Sequence, residues 1–301
     1  MQYHDITCIC GHEYIEQDID VTLATIGFES KNEIDRLLKP FIGHVKQVIL
    51  GDGAFDFYPT DHKFSNDRWM QYAADKYKND FDKIITYEYS GKQVDKRQKY
   101  LDLCETEWLI VMDTDDYIHP QFQMWDVFYT NLLNISKILS DAVYMIWEYI
   151  PNETLWPKQG NQFASDVWRR SARIHRWPND QRYCMDTHYM WCPKGVTDEE
   201  LLDWQLKHRD ADNPKQLVGR VPIEGIRIAM DRTLRTDEQI KGGAYWAFMN
   251  QHAEQSRIYY KNAKLLGTPI PEGYKSWEEF ENAPHTFDEH GARVDLRNKK
   301  D

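Results

Sequence analysis

Residues 109–120 read LIVMDTDDYIHP. Leu109 to Met112 form an unbroken apolar run, as expected of a short strand buried on both faces. The run delivers Asp113, Asp115 and Asp116 within four residues. Carboxylates this close repel one another unless a cation offsets them. Hard divalent ions such as Mg²⁺ or Mn²⁺ take oxygen ligands and keep one or two protein carboxylates beside substrate phosphates. Asp113 and Asp115 are therefore candidate metal ligands. The competing reading is a solvated acidic turn in which Asp116 caps the next helix.

The chain upstream favours the metal. Val21 to Ile26 is β-branched, apolar and short, a buried strand ending at Gly27. Ser30 is placed to cap a helix through Leu38, with Glu33 completing a capping box. Pro40 stops that helix. Val45 to Leu50 reads as a second strand, closed by Gly51, Asp52 and Gly53. Trp69 to Tyr77 reads as a helix, Lys83 to Tyr89 as a third strand and Val94 to Cys104 as a further helix. Trp108 to Met112 is the fourth strand. This alternation predicts an α/β fold with a mainly parallel central sheet flanked by helices. In such sheets ligands bind beyond the carboxyl ends of the strands. Glu29, Asp52, Ser90 and the Asp113 cluster all stand at such ends. Lys96-Arg97-Gln98-Lys99 lies on the helix entering the aspartate strand, where Arg97 is placed to reach a diphosphate or a ribose. A solvated basic helix face is the plainer alternative.

The second half is less regular. Asp126 to Leu139 reads as a helix, Ala142 to Ile150 as an aromatic strand, and 151–165 as a loop. Val167 to Trp177 reads as a strand carrying Arg169, Arg170, Arg173 and Arg176. Thr197 to His208 and Thr236 to Leu266 read as helices, and the last residues as a charged tail. Near the start, Ile6 to Cys10 reads as a short strand. Arg220, Arg227, Arg232 and Arg235 surround the apolar GIRIAM segment. Each alone reads as surface charge; some of them are placed to close over a diphosphate as a lid.

The chain has 301 residues, 41% of them hydrophobic and 14% aromatic. Lys and Arg number 37 against 49 Asp and Glu, a formal charge of −12. That balance argues against a generic polyanion binder, which needs a basic footprint. The five cysteines include no CxxC pair, and they read as reduced thiols in a cytoplasmic protein. The opening MQYHDITCIC lacks the basic and apolar regions of a signal peptide, and no run is long enough for a membrane span.

Residues 20–120 resemble the nucleotide-sugar-binding half of family 2-like glycosyltransferases with the GT-A fold. VTLATIGFES resembles the family's first strand and loop, and VILGDGAFD the segment where an aspartate meets the nucleobase. KRQKYLDLCETEWLIVMDTDDYIHP resembles its stretch of basic residue, helix and apolar strand ending in DxD. Some positions depart from the family pattern: Ala24 replaces the usual Pro, and Ala54 the usual Ser. The resemblance implies a glycosyltransferase domain over 1–230, with 20–120 its donor half and 121–230 its acceptor half. Residues 231–301 would then form a C-terminal helical extension and tail.

The resemblance also implies chemistry. A sugar would pass from a nucleotide diphosphate sugar, by resemblance a UDP-sugar, to an acceptor hydroxyl on a glycan or, as a weaker option, a modified nucleic-acid base. Thr25, Glu29 and Asp52 would lie where base and ribose rest. Arg97, Asp113 and Thr114 would face the rest of the donor, and Asp113 and Asp115 would hold Mn²⁺ or Mg²⁺. The segment RIHRWPNDQRYCMDTHYMW, 173–191, resembles the acceptor side of some members. By that analogy His188 completes the metal site, with His175 as its competitor. Tyr189 stands where such members carry an acid, which leaves Asp186 as the catalytic base. A metal-dependent nucleotidyltransferase is an alternative, but it calls for a Gly-rich phosphate loop that TIGFES is not. A non-catalytic carbohydrate-binding protein is the other.

Overall fold

The computed structural model describes residues 19–55, 60–136, 143–150, 167–184, 191–197, 199–201, 220–230, 234–236 and 239 within one compact unit. It describes 274–276, 279, 283, 285–287 and 293–295 within a second unit. The first unit comprises Met1–Asp56 and Thr60–Ile240, the second Phe57–Pro59 and Lys241–Asp301. The strand expected over Ile6–Cys10, the loop 151–165, and most of the helices expected after Thr197 and Thr236 lie outside the described residues.

The first four strands fall where the apolar runs put them: β1 Val21–Gly27, β2 Gln47–Asp52, β3 Lys83–Glu88 and β4 Trp108–Asp113. Helices α1 Lys31–Leu38, α2 Trp69–Lys76 and α3 Gln93–Leu103 connect them. Then come β5 Asp116–Gln123, α4 Trp125–Ser136, β6 Val143–Ile150, β7 Val167–Arg176, β8 Gln181–Tyr183, β9 Trp191–Pro193 and β10 Arg220–Met230. One sheet of eight strands runs in the order β3-β2-β1-β4-β7-β6-β10-β5. Strands β3, β2, β1 and β4 are mutually parallel, and β10 runs parallel to β6. Strand β7 is antiparallel to both β4 and β6, and β5 is antiparallel to β10. The architecture is α/β, a mostly parallel central sheet flanked by helices.

Alternation along β1 and β4 divides the core between the two sheet faces. Val21, Leu23, Trp108, Ile110 and Met112 pack with Ile34, Leu37, Trp69, Phe128 and Leu132 of α1, α2 and α4. Ala24, Ile26, Leu109 and Val111 pack with Tyr100 and Leu101 of α3, and with Tyr183 and Trp191 of β8 and β9. Helices therefore cover both faces, which is why the inner strands read as continuous apolar runs.

Two local expectations change. Ser30 is the N-cap of α1 but makes no side-chain cap bond, so the capping box does not form. Its hydroxyl turns instead to Phe28 and Thr114. After Asp113 the chain neither caps a helix nor ends in a solvated turn. It reverses at 114–115 and re-enters the sheet as β5, whose register partner β10 contains GIRIAM. Pro120 is exposed on this edge strand, where a missing N–H costs no ladder bond. In the second unit β11 His285–Phe287 pairs antiparallel with β12 Arg293–Asp295.

Candidate active site

The order β3-β2-β1-β4 has a topological switch between β1 and β4, where successive crossovers leave in opposite directions. The register aligns Ile26 with Asp113, and Gly27 with Asp52, which in turn pairs with Glu88. The carboxyl ends of these strands thus bring Glu29, Asp52 and the Asp113 cluster to one edge.

Asp113 continues the α3 face of β4 and is 31% exposed. Its Oδ1 accepts from Arg97 Nη2 at 3.1 Å, and Oδ2 lies 3.6 Å from Arg173 Nη1. Thr114 falls on the opposite face and shares a 3.0 Å hydrogen bond with Ser30. Asp115 is only 2% exposed, and its Oδ2 accepts from Arg235 Nη2 at 2.7 Å. The Asp115 carbonyl accepts from Arg36 at 3.4 Å. Asp116 is fully buried: its Oδ2 accepts from Arg173 Nη1 at 2.7 Å and from the Asp113 amide at 2.7 Å. That amide bond closes the turn, while Arg173 offsets the buried charge. Three carboxylates are therefore held close together by guanidinium groups from α3, β7 and the segment after β10.

That last segment clasps the end of β1. Thr236 and Gln239 form a capping box, with Thr236 N donating to Gln239 Oε1 at 2.7 Å and Gln239 N to Thr236 Oγ1 at 3.2 Å. Gln239 Nε2 then donates to Phe28 O at 3.0 Å, Ser30 Oγ at 3.2 Å and Glu33 Oε2 at 3.2 Å. Burial, then the charge of Asp115, pushes the Glu33 carboxyl up to about 7.

Glu29 and Asp52 bind the chain 60–69 across the end of β2. Glu29 takes a left-handed backbone, φ 53°, uncommon for a residue with a side chain. Its carboxylate accepts from the Asn66 and Asp67 amides at 2.7 and 3.2 Å, and it meets His62 Nε2 at 2.9 Å. Asp52 accepts from Ser65 Oγ at 2.6 Å, the Ser65 amide at 2.9 Å and Trp69 Nε1 at 2.8 Å. Both carboxylates thus shape the wall of the crevice through this loop. Thr25 is buried, and its Oγ has no hydrogen-bond partner among the described residues. Lys96 is buried and donates to Gly27 O at 2.9 Å and Gly53 O at 2.6 Å, tying the ends of β1 and β2 together. Burial draws its ammonium down to about 7.

The structure therefore gathers Thr25, Glu29, Asp52, Arg97, Asp113, Thr114 and Asp115 at one sheet edge. Asp186 and His188 lie outside the described residues. His175 is fully buried on the α3 side, one ring nitrogen 2.7 Å from Gln181 Oε1 and the other 3.2 Å from Tyr183 Oη. With both nitrogens engaged it does not serve as a ligand here. Arg235, read alone as surface charge, is an ion-pair partner of Asp115 and 18% exposed. It lies 120 residues from that aspartate, so no motif spacing announces the pair. Lys96 and Arg173 stood in basic runs whose members are alike until the fold buries some of them.

Among the described residues no group of three or more His, Cys, Asp or Glu side chains is disposed to hold a metal ion. Asp113 and Asp115 do supply the hard oxygen donors that a divalent ion takes when substrate phosphates complete its shell. Asp113 is the accessible member, while Asp115 is buried and paired with Arg235. Cys104 and Cys192 are buried free thiols. Among the described residues no helix is long and apolar enough to cross a membrane.

No protein-family model matches the chain, and no curated protein matches it. Among solved structures it is similar to S. aureus TarS 1–349 in complex with UDP-GlcNAc, at 18% identity and TM-score 0.32. That match covers 44% of this chain and 34% of the other, about a third of that chain's length. The same protein in complex with UDP matches at 16% identity and TM-score 0.39, covering 84% and 77% of the two chains. GalNAc-T7 with UDP, GalNAc and Mn²⁺ matches at 18% identity and TM-score 0.32, covering 49% and 26%.

Proposed function

We propose that the chain is a GT-A-type glycosyltransferase that moves a sugar from a nucleotide diphosphate sugar to an acceptor hydroxyl with the help of Mn²⁺ or Mg²⁺. The observation that carries this reading is the delivery of Asp113 and Asp115 by β4 to the β1/β4 switch point, beside the loop that Glu29 and Asp52 hold. Uridine as the base, and the hexosyltransferase type, follow from the sequence resemblance over residues 20–120.

Asp113 and Asp115 would hold the metal, and Asp186 and His188 remain the proposed base and third ligand. The bound ion supplies charge to offset the negative charge that develops on the leaving diphosphate. Arg97 holds Asp113 in place at one oxygen. Arg173 pairs with Asp116, whose Oδ2 also accepts from the Asp113 amide and closes the turn between β4 and β5. Arg235, the ion-pair partner of Asp115, would lie beside the same anionic group and offset its charge. An acceptor hydroxyl deprotonated by a carboxylate would attack the anomeric carbon if the enzyme inverts.

The test is calorimetric. With Mn²⁺, the chain should bind UDP in preference to other nucleoside diphosphates, and product mass analysis should show donor hydrolysis or transfer. Asp115→Ala should remove the Mn²⁺-dependent binding and leave the far-UV spectrum unchanged. Full activity of Asp115→Ala in the presence of chelator would overturn the metal reading.

A further inference from the structure

A run of buried polar side chains leaves the candidate site and crosses the α3 face of the sheet. It begins at Arg97, whose Nη2 holds Asp113 and whose Nη1 lies 3.3 Å from Tyr100 Oη. Tyr100 Oη and Tyr183 Oη are 2.6 Å apart. Tyr183 Oη is 3.2 Å from His175 Nε2, and His175 Nδ1 is 2.7 Å from Gln181 Oε1. Gln181 Nε2 donates to the Arg176 carbonyl at 2.7 Å. Arg97, Tyr100, His175, Tyr183 and Gln181 are all buried.

Both ends of this run have fixed polarity. A guanidinium only donates, and a backbone carbonyl only accepts. The Arg176 carbonyl takes the Gln181 amide N–H, so Gln181 Oε1 faces His175 as an acceptor. Nδ1 of the neutral ring must then carry the proton, and Nε2 must accept from the Tyr183 hydroxyl. Tyr183 has one proton and has used it, so its oxygen accepts from Tyr100. Tyr100, having donated, accepts from Arg97. Every donor in the run points the same way, from the guanidinium at the site to the Arg176 carbonyl.

We propose that Tyr100, Tyr183 and His175 are positioning residues: a one-directional hydrogen-bond chain that fixes the Arg97 guanidinium against Asp113. The orientation stands on the hydrogen-bond geometry and on a neutral His175 ring, the form its burial favours. Its consequence for donor binding rests on the function proposed above. Losing one link of a buried network leaves its partner unpaired, so each link favours one geometry. Tyr100 and Tyr183 also pack edge to face, rings 5.8 Å apart and 89° inclined, so each hydroxyl is held by its ring. Strand β8 is fastened to α3 by Gln98, which accepts from the Tyr183 amide at 3.0 Å and donates to Gln181 O at 3.3 Å. The chain therefore links α3, β7 and β8 to the metal-facing carboxylate.

Nitrogen NMR on the 301-residue chain tests it at both ends. His175 should be the Nδ1–H tautomer, assigned by loss of its signals in His175→Gln; the Nε2–H tautomer would overturn the chain's direction. The Nη groups of Arg97 should be resolved from one another in the wild type, and Tyr100→Phe should let the guanidinium rotate and average them. Resolved Nη signals in Tyr100→Phe would overturn the positioning role. Tyr183→Phe breaks the chain one link farther on and is read in the same way. With a donor bound, Tyr100→Phe should lower turnover about tenfold or more with KM for the acceptor unchanged. A wild type that binds no nucleoside diphosphate would sink the proposed function, while the NMR readouts still decide the chain.

Discussion

Asp115 and His175 show how a single side chain depends on partners far along the sequence. Asp115 is nearly sealed from solvent and is held by Arg235. Arg235→Ala should lower stability by about 1–3 kcal/mol, because it leaves a buried carboxylate less well compensated. If Asp115 is a metal ligand, Mn²⁺ should restore more stability to this variant than it adds to the wild type. Urea unfolding with and without the ion measures both. His175 carries the opposite burden: burial draws its ring down to about 4 from 6.5, and the nearby Arg97 charge also lowers it. Between these values the unfolded chain binds more protons, so stability rises with pH. The contribution is complete above pH 6.5 and is lost as the pH falls towards 4. Thermal unfolding between pH 4 and 6.5 should slope accordingly, by about 3 kcal/mol in total. His175→Gln should flatten that part of the slope.

The element that shapes the crevice wall is the end of β2. Gly53 has φ 134°, and a Cβ built there would stand 2.3 Å from the Tyr89 carbonyl oxygen. Lys96 donates to the carbonyl of this same residue. Gly53→Ala should therefore cost about 1–3 kcal/mol through backbone strain and overpacking. It should also weaken nucleotide binding, since Lys96 ties β1 to β2 through that carbonyl. A melting curve and a titration on the same sample separate the two effects. At this scale the sequence was largely legible. Strands β1, β2 and β4 announced themselves as short apolar runs because they are buried on both faces, whereas β3, at the edge of the sheet, is only partly covered. Strand β5 was not legible: DYIHPQFQ mixes charge, proline and aromatics, and it becomes a strand only because β10 offers it a paired edge.

Across the first unit, the residues after β10 return to the start of the sheet. Gln239 reaches three acceptors around the end of β1, at separations of 206 to 211 residues. Gln239→Ala should cost about 1–2 kcal/mol by leaving buried acceptors unpaired. It should also speed hydrogen exchange of the amides at 28–34 relative to those of β2. Equal exchange in both segments would show that the clasp does not hold the crevice. The formal charge of −12 does not describe this locale, where Arg36, Arg97, Arg173 and Arg235 surround the aspartates.

The sequence by itself determined the β-α alternation, the four parallel strands and the arrival of an acidic cluster at a strand end. Each is a local pattern: a run of apolar residues must be buried, and the carboxylates that follow it come at the carboxyl end of that strand. The tertiary structure alone decided which charges answer that cluster. Arg173 and Arg235 lie 57 and 120 residues from their aspartates, among many arginines of identical chemistry. It also decided that Ser30 serves Phe28 and Thr114 rather than its helix, and that Tyr100, Tyr183 and His175 form one chain. The reason is physical. Burial periodicity is written along the backbone, whereas ion pairs and hydrogen-bond direction depend on which side chains the folded sheet brings within about 3 Å of one another.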